Sequence, residues 1–301
     1  MDIIASPATR AHAGRLGVDL EAVARATGRT TLAREDVDAH LSGGGAPTPG
    51  PAPAAGPDPA RYWDVDHAAH GPVREEPQPR MAQVAAANLA AANTLIPAVT
   101  HHDRADMRAV EAFRARLKPE ATARGIKLTA LAFHVRTLAR CLKDFPRFNA
   151  SLSPDGATLT LKDYVHVGLA VDTAHGLMVP VIRDADRKGL WTIAAEITDL
   201  ATRAQARKIA PGEMGGASMT ISNLGGLGGR AFTPIVNPPE VAILGLTRTE
   251  TAPVWEDGAW APVPMVPMDL TYDHRVVNGA DAARFCTRYA ALIADPRRML
   301  I

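Results

Sequence analysis

Between Tyr164 and Val171 the apolar residues Val165, Val167, Leu169 and Val171 alternate with other side chains, the two-residue period of a strand with one buried face. Leu177 to Ile182 reads as its partner after a turn at His175-Gly176. The period then changes. From Leu190 to Lys208, Ile193, Ile197, Leu200 and Ala204 fall on one helical stripe. Helical spacing also covers Asp106 to Leu117, with Met107, Val110, Phe113 and Leu117 on one side, and a helix capped by Thr129 runs to about Leu142. Strands are predicted at Ser218 to Ser222, Val241 to Thr247 and Met265 to Tyr272, then a last helix from about Ala280 to Ile293. This order predicts an α/β domain built on a large mixed sheet.

A different pattern opens the chain. Ser6-Pro7 fits an N-cap followed by the first helical position, and Gly17 fits the stop. Further short helices are expected near Asp19 and from near Thr31 to before Ser42, with Leu16, Val18, Leu20, Val23, Leu32, Val37 and Leu41 closing a very small core. Residues 42–61 form an Ala/Pro/Gly-rich linker, because proline removes backbone donors and glycine raises the entropy cost of order. The predicted organisation is a small all-α domain at 5–41, the linker, and a large domain at 62–301.

Composition narrows the function classes. The formal net charge of +1 gives no overall electrostatic case for a nucleic-acid or membrane partner. No apolar run reaches the ~18 residues of a membrane span, and no charged leader with an apolar segment opens the chain. The expectation is a soluble cytoplasmic protein. Cys141 and Cys286 sit in apolar helical patterns and read as buried free thiols. His101-His102-Asp103 lacks matching ligands at useful spacing elsewhere, so no metal is expected. The glycines Gly225, Gly226, Gly228 and Gly229 follow neither the dinucleotide fingerprint nor the P-loop pattern, and read as a tight turn open to close approach.

Two runs carry chemistry. Tyr272-Asp273-His274-Arg275-Val276-Val277-Asn278-Gly279 places a histidine after a strand and before an Asn-Gly turn. Met219-Thr220-Ile221-Ser222-Asn223 ends a strand with a hydroxyl beside the glycine run. Residues 81 to 301 resemble the catalytic domain of the dihydrolipoamide acyltransferases, the E2 cores of 2-oxo-acid dehydrogenase complexes. The resemblance rests on these two runs together with Ile96-Pro97-Ala98-Val99-Thr100, Pro146-Arg147-Phe148-Asn149-Ala150-Ser151-Leu152 and Val171 to Val181. It implies a chloramphenicol-acetyltransferase-like fold. Residues 5 to 41 resemble the family's peripheral-subunit-binding domain, on Ala5 to Arg10 and Arg34-Glu35-Asp36-Val37, although Arg25 to Thr31 departs from its usual loop. The lead-in Trp63 to Pro77 is also similar, and Ala231 to Gly245 is most similar to acetyl-transferring members.

The resemblance implies acyl transfer between the thiols of dihydrolipoamide and coenzyme A. His274 would be the general base, matched to the task by a pKa near ~6.5 for ordinary histidine. Ser222 would hold the tetrahedral oxyanion. Asn278, where the family more often has Asp, would hold the loop of His274 or bond a neighbouring side chain. Thr220 is taken as structural and facing away from Ser222. Asp273 and Arg275 are expected to form structural pairs, Asp281 to favour the dipole of the last helix, and Arg80, Lys127 and Arg147 are candidates for the coenzyme A phosphates. The resemblance also implies a homotrimer with each site shared between subunits, trimers able to pack through apolar C-terminal ends into a 24-subunit cube, peripheral E1 or E3 enzymes docking on residues 5–41, and a lipoyl group supplied by a domain or chain other than residues 5–301. Two alternatives stand beside this reading: a non-catalytic scaffold, and a small-alcohol acetyltransferase of the same fold.

Overall fold

A computed structural model describes residues 3–42, 63–174 and 176–299. The chain divides into two compact units, Met1–Glu76 and Pro77–Ile301. Apart from Ser42, the expected linker lies outside the described residues, as do His175 and the apolar tip Leu300-Ile301.

In the first unit, strand β1 (Ile4–Ala5) leads into helices α1 (Pro7–Leu16) and α2 (Leu20–Thr27), then strand β2 (Thr31–Leu32) and helix α3 (Arg34–Leu41). The Ser6 side chain accepts from the Thr9 N–H at 3.1 Å, so the predicted cap forms, and that of Asp19 accepts from the Glu21 N–H at 3.0 Å and caps the second helix. The third helix starts later than expected. Thr31 and Leu32 instead pair parallel with Ile4 and Ala5. Val23, Ala24 and Leu32 centre the core, while Leu16 and Leu41 are exposed, contrary to expectation. Asp38 holds buried His12 at 2.6 Å, tying α3 to α1.

The second unit runs α4 (Arg80–Leu95), β3 (Ala98–Asp106), α5 (Arg108–Ala123), α6 (Ala130–Asp144), β4 (Ala150–Leu152), β5 (Leu159–Leu161), β6 (Val167–Thr173), β7 (Gly176–Met178), β8 (Val181–Ile182), α7 (Leu190–Gln205), β9 (Met219–Asn223), β10 (Ala242–Leu246), β11 (Glu250–Glu256), β12 (Ala259–Asp273) and α8 (Gly279–Ala294). The main sheet has the order β11-β12-β10-β9-β6-β7, with β3 on β12 and β8 on β6. β6, β9 and β10 are parallel and the other pairs antiparallel, so the sheet is mixed, as predicted.

Alternation sorts the central strands. Met219 and Ile221 of β9, Ala242, Leu244 and Leu246 of β10, and Val266, Met268, Leu270 and Tyr272 of β12 join one core cluster with the buried sides of α6, α7 and α8. The other face carries Thr220 and Ser222, Gly245, and Asp269, Thr271 and Asp273. Thr220 therefore shares a face with Ser222, since residues two apart on a strand point the same way; the expectation that it faces away is corrected. The expected Leu177–Ile182 strand is split into two short ones around Pro180, which has no N–H to give a ladder. The helix expected to begin at Asp106 begins at Arg108, because Asp106 still belongs to β3 and pairs with Met265.

Candidate active site

Ser222 lies near the end of β9, at the centre of the sheet, between Ala170 of β6 and Gly245 of β10. It is half-buried, and its hydroxyl has no hydrogen-bond partner among the described residues. A side chain at Gly245 would stand 2.7 Å from the ring of Phe232. The glycine thus lets that ring lie on the sheet directly beside Ser222. Asp269, the rung beyond Gly245, accepts the Phe232 N–H at 3.2 Å and holds it there. The second oxygen of Asp269 meets His102 Nδ1 at 2.6 Å, which gives the buried carboxylate a partner.

His274 follows the last residue of β12. Its N–H donates to the Pro97 carbonyl at 3.1 Å, and its exposed ring leans on Tyr272 at 5.8 Å between centroids. The loop around it is held from three sides. Asp273, 2% exposed, donates its N–H to Val241 and accepts the Arg275 guanidinium at 2.6 Å, the structural pair expected from sequence. Arg147 donates to the Val276 carbonyl at 2.9 Å, so this phosphate candidate is occupied as a clamp on the loop. Asn278 caps α8, its side-chain oxygen accepting the Asp281 N–H at 2.9 Å, and Asp281 in turn pairs with Arg284 at 2.7 Å. The ring is thereby aimed outward from a fixed turn.

One protomer does not bring Ser222 and His274 together. Ser222 is level with Asp269 across Gly245, and His274 lies five residues further along that chain. Two strand spacings across and that distance along amount to roughly 20 Å.

Past the end of β9 a cavity of about 630 Å³ opens between the start of the glycine run, the start of α6 and the second half of α7, lined by Lys127, Thr129, Asn223, Gly226, Arg248 and His134 among others. Lys127 and Arg248 are its charged groups, and no carboxylate among the described residues lines it. Burial holds His134 down to about 4, so the ring is neutral near pH 7, with Nδ1 and the Tyr289 hydroxyl 2.8 Å apart. Arg80 does not line this cavity. Cys141 and Cys286 are buried free thiols, Cys286 pushed up to about 12 by desolvation, far from the thiolate a nucleophile needs. Among the described residues no three His, Cys, Asp or Glu side chains gather as a metal site, and no helix is long and apolar enough to cross a membrane.

Residues 70–301 match the family of 2-oxoacid dehydrogenases acyltransferase (catalytic domain). The chain belongs to this acyltransferase family. It is 45% identical over 305 residues to the dihydrolipoyllysine-residue acetyltransferase component of pyruvate dehydrogenase complex of Pseudomonas aeruginosa, covering 99% of this chain and 55% of that one. The same component from Azotobacter vinelandii is 45% identical over 300 residues, covering 99% and 47%. The chain thus spans about half the length of these relatives. A solved structure of the A. vinelandii dihydrolipoamide acetyltransferase, studied for the role of a serine, a histidine and an asparagine in its catalytic mechanism, superposes with a TM-score of 0.77 at 48% identity, covering 79% of this chain and 98% of that one. The cubic core of a pyruvate dehydrogenase multienzyme complex superposes equally well, with a TM-score of 0.77.

Sequence reasoning singled out Ser222, His274 and Asn278 as catalytic candidates and Lys127 as a phosphate candidate. It passed over Arg248, Asp269, Phe232 and Glu240. A signal existed for one of them: Asp269 is a carboxylate set in strongly apolar strand sequence, where an ion is expensive to bury without a partner.

Proposed function

We propose that the chain transfers an acetyl group between the thiol of dihydrolipoamide and that of coenzyme A, at a site formed by Ser222 of one protomer and His274 of another. One observation carries the reading. In the A. vinelandii acetyltransferase the histidine of the studied trio stands 52 positions after the serine and four before the asparagine, and Ser222, His274 and Asn278 repeat both spacings. The separation of roughly 20 Å within one protomer then calls for a second copy. The apolar side chains that α4 leaves exposed, Met81, Val84, Leu89 and Leu95, support such packing, and a trimer is the assembly inferred.

The chemistry follows from the groups present. The imidazole of His274 takes the proton from the attacking thiol as the new S–C bond forms. The carbonyl oxygen becomes an oxyanion, to which the free hydroxyl of Ser222 donates. Collapse breaks the original C–S bond, and the imidazolium returns its proton to the departing sulfur. A positioned base of this kind gives about 10²–10⁴-fold. Asn278 keeps the His274 loop in place by capping α8. Phe232, wedged beside Ser222, favours a small acyl group. The cavity lined by Lys127 and Arg248 fits the phosphate-bearing end of coenzyme A, having cations and no carboxylate. Recruitment of E1 or E3 by residues 5–41, delivery of the acetyl group on a lipoyl domain, and larger assemblies of trimers belong to the same reading, as does a cytoplasmic setting.

The test is complementation. S222A and H274A chains, each expected to be strongly impaired alone, are co-expressed and assayed with acetyl-CoA and free dihydrolipoamide. Mixed oligomers should regain a substantial part of wild-type transfer, because some sites then pair an intact serine with an intact histidine. Mixed oligomers as inactive as their parents would overturn the shared site.

A further inference from the structure

Glu240 is 5% exposed, two residues before β10. One of its oxygens accepts the Thr220 hydroxyl at 2.9 Å and the Asn237 amide at 3.2 Å. The other is buried without a hydrogen bond. Thr220 sits two residues before Ser222 on the same face of β9. Its hydroxyl occupies the space over Gly168 of β6, where a Cβ would stand 2.5 Å from it. On the other side, the carbonyl of Val241 accepts the Asp273 N–H at 2.8 Å, and Glu240 shares a cavity of about 420 Å³ with Asp273 and Arg275, which flank His274. The Glu240 carboxyl therefore binds the strand that carries Ser222, and the residue next to it, Val241, binds the turn that carries His274.

We propose that Glu240 is a positioning residue for acyl transfer: through Thr220 it fixes the strand that presents Ser222, and through the turn into Val241 it fixes the loop that presents His274. The inference rests on the acyl-transfer reading. In the composite oligomer these two halves serve neighbouring sites, so each Glu240 supports two of them.

The hydrogen bonds to Thr220 and Asn237 need an acceptor oxygen, not a charge. Burial raises Glu240 to about 7, against the weaker pull of those two donors and of the half-buried Lys162, whose ammonium also donates to the Ala217 carbonyl at 3.1 Å. The remaining charges facing the shared cavity are Asp273 and Arg275, which neutralise each other; α4 and the turn after β4 present the neutral Asn88 and Ser153 there. A carboxyl raised on folding binds more protons in the folded state, so its contribution to stability declines as pH climbs from the ordinary carboxylate range through about 7.

The experiment compares wild type, E240Q, E240A and T220V in the full chain, by acetyl transfer to dihydrolipoamide and by thermal melting from pH 5 to pH 8. E240A and T220V should lose kcat on the order of 10²-fold with KM nearly unchanged, as for a displaced catalytic group. E240Q, which keeps the acceptor, should recover most of the rate, and its Tm relative to wild type should rise with pH. Should E240A fail to fold, T220V removes the same bond from the other end. Wild-type kcat in T220V or E240A, or an E240Q as slow as E240A, would overturn the role. A wild-type chain that transfers no acetyl group would instead overturn the underlying activity, which separates the two failures.

Discussion

The two faces of the central sheet are built from the same strands and do opposite work. On the helix side, Ile221, Leu244 and Leu270 are almost wholly enclosed and join the main core. On the other side, one residue away along each strand, stand Ser222, Gly245 and Asp269. Because side chains alternate, a slip of one residue in register would exchange the two sets. The core therefore fixes the chemistry: packing on the helix side is what sets Ser222 level with Gly245 and Phe232. It also means that the faces should respond differently to substitution, one in stability and the other in rate.

The largest effect is expected from His274→Ala. The ring is exposed and makes no hydrogen bond among the described residues, so stability should stay within about 0.5 kcal/mol of wild type. Transfer between acetyl-CoA and dihydrolipoamide should fall by about 10²–10⁴-fold. Steady-state assay with light scattering, to confirm the oligomer is intact, checks both halves of that statement. A variant that retained its rate would remove His274 as the general base.

Leu244→Ala tests the opposite face. Leu244 is 1% exposed, between the helices and a strand paired on both edges. Its truncation should lower unfolding free energy by about 2–5 kcal/mol, read by denaturant titration. At a temperature where it is still folded, its kcat should remain near wild type. If kcat collapses while the fold survives, the faces are coupled more tightly than their separation into core and chemistry implies.

How much of this was legible follows from the same alternation. β6 and β9 were readable because each sets apolar residues against small or polar ones, β10 because it is a short run of apolar and small residues, and α7 and α8 because their stripes are clean. β3 was not, since Thr-His-His-Asp-Arg has no apolar rhythm; it is held to β12 by polar rungs, Thr100 to Thr271 at 2.8 Å and His102 to Asp269. β11 and the first half of β12 were hidden by prolines, which ordinarily argue against a strand. Pro253 faces Pro262, so two missing donors coincide on one rung. α4 lacked a signal because Ala92 is its one fully buried side chain among the described residues. At the site, the serine and histidine runs were visible as motifs, whereas Phe232 and Glu240 gained meaning only through cross-strand register.

Asn278 stands on neither face, and so sharpens the comparison by a smaller effect. Its side chain caps α8 at 2.9 Å from the Asp281 N–H, just beyond the loop of His274. Loss of such a cap typically costs ~1 kcal/mol, whereas aspartate caps as well as asparagine. Asn278→Ala should therefore lower stability by about that much and slow transfer by loosening the His274 turn, and Asn278→Asp should restore both. Melting curves and initial rates on the two variants decide the point. If Asn278→Asp recovers stability while the rate stays low, the amide must contact the reacting groups directly, and the boundary between residues that hold the site and residues that perform the reaction would have to be redrawn at this position.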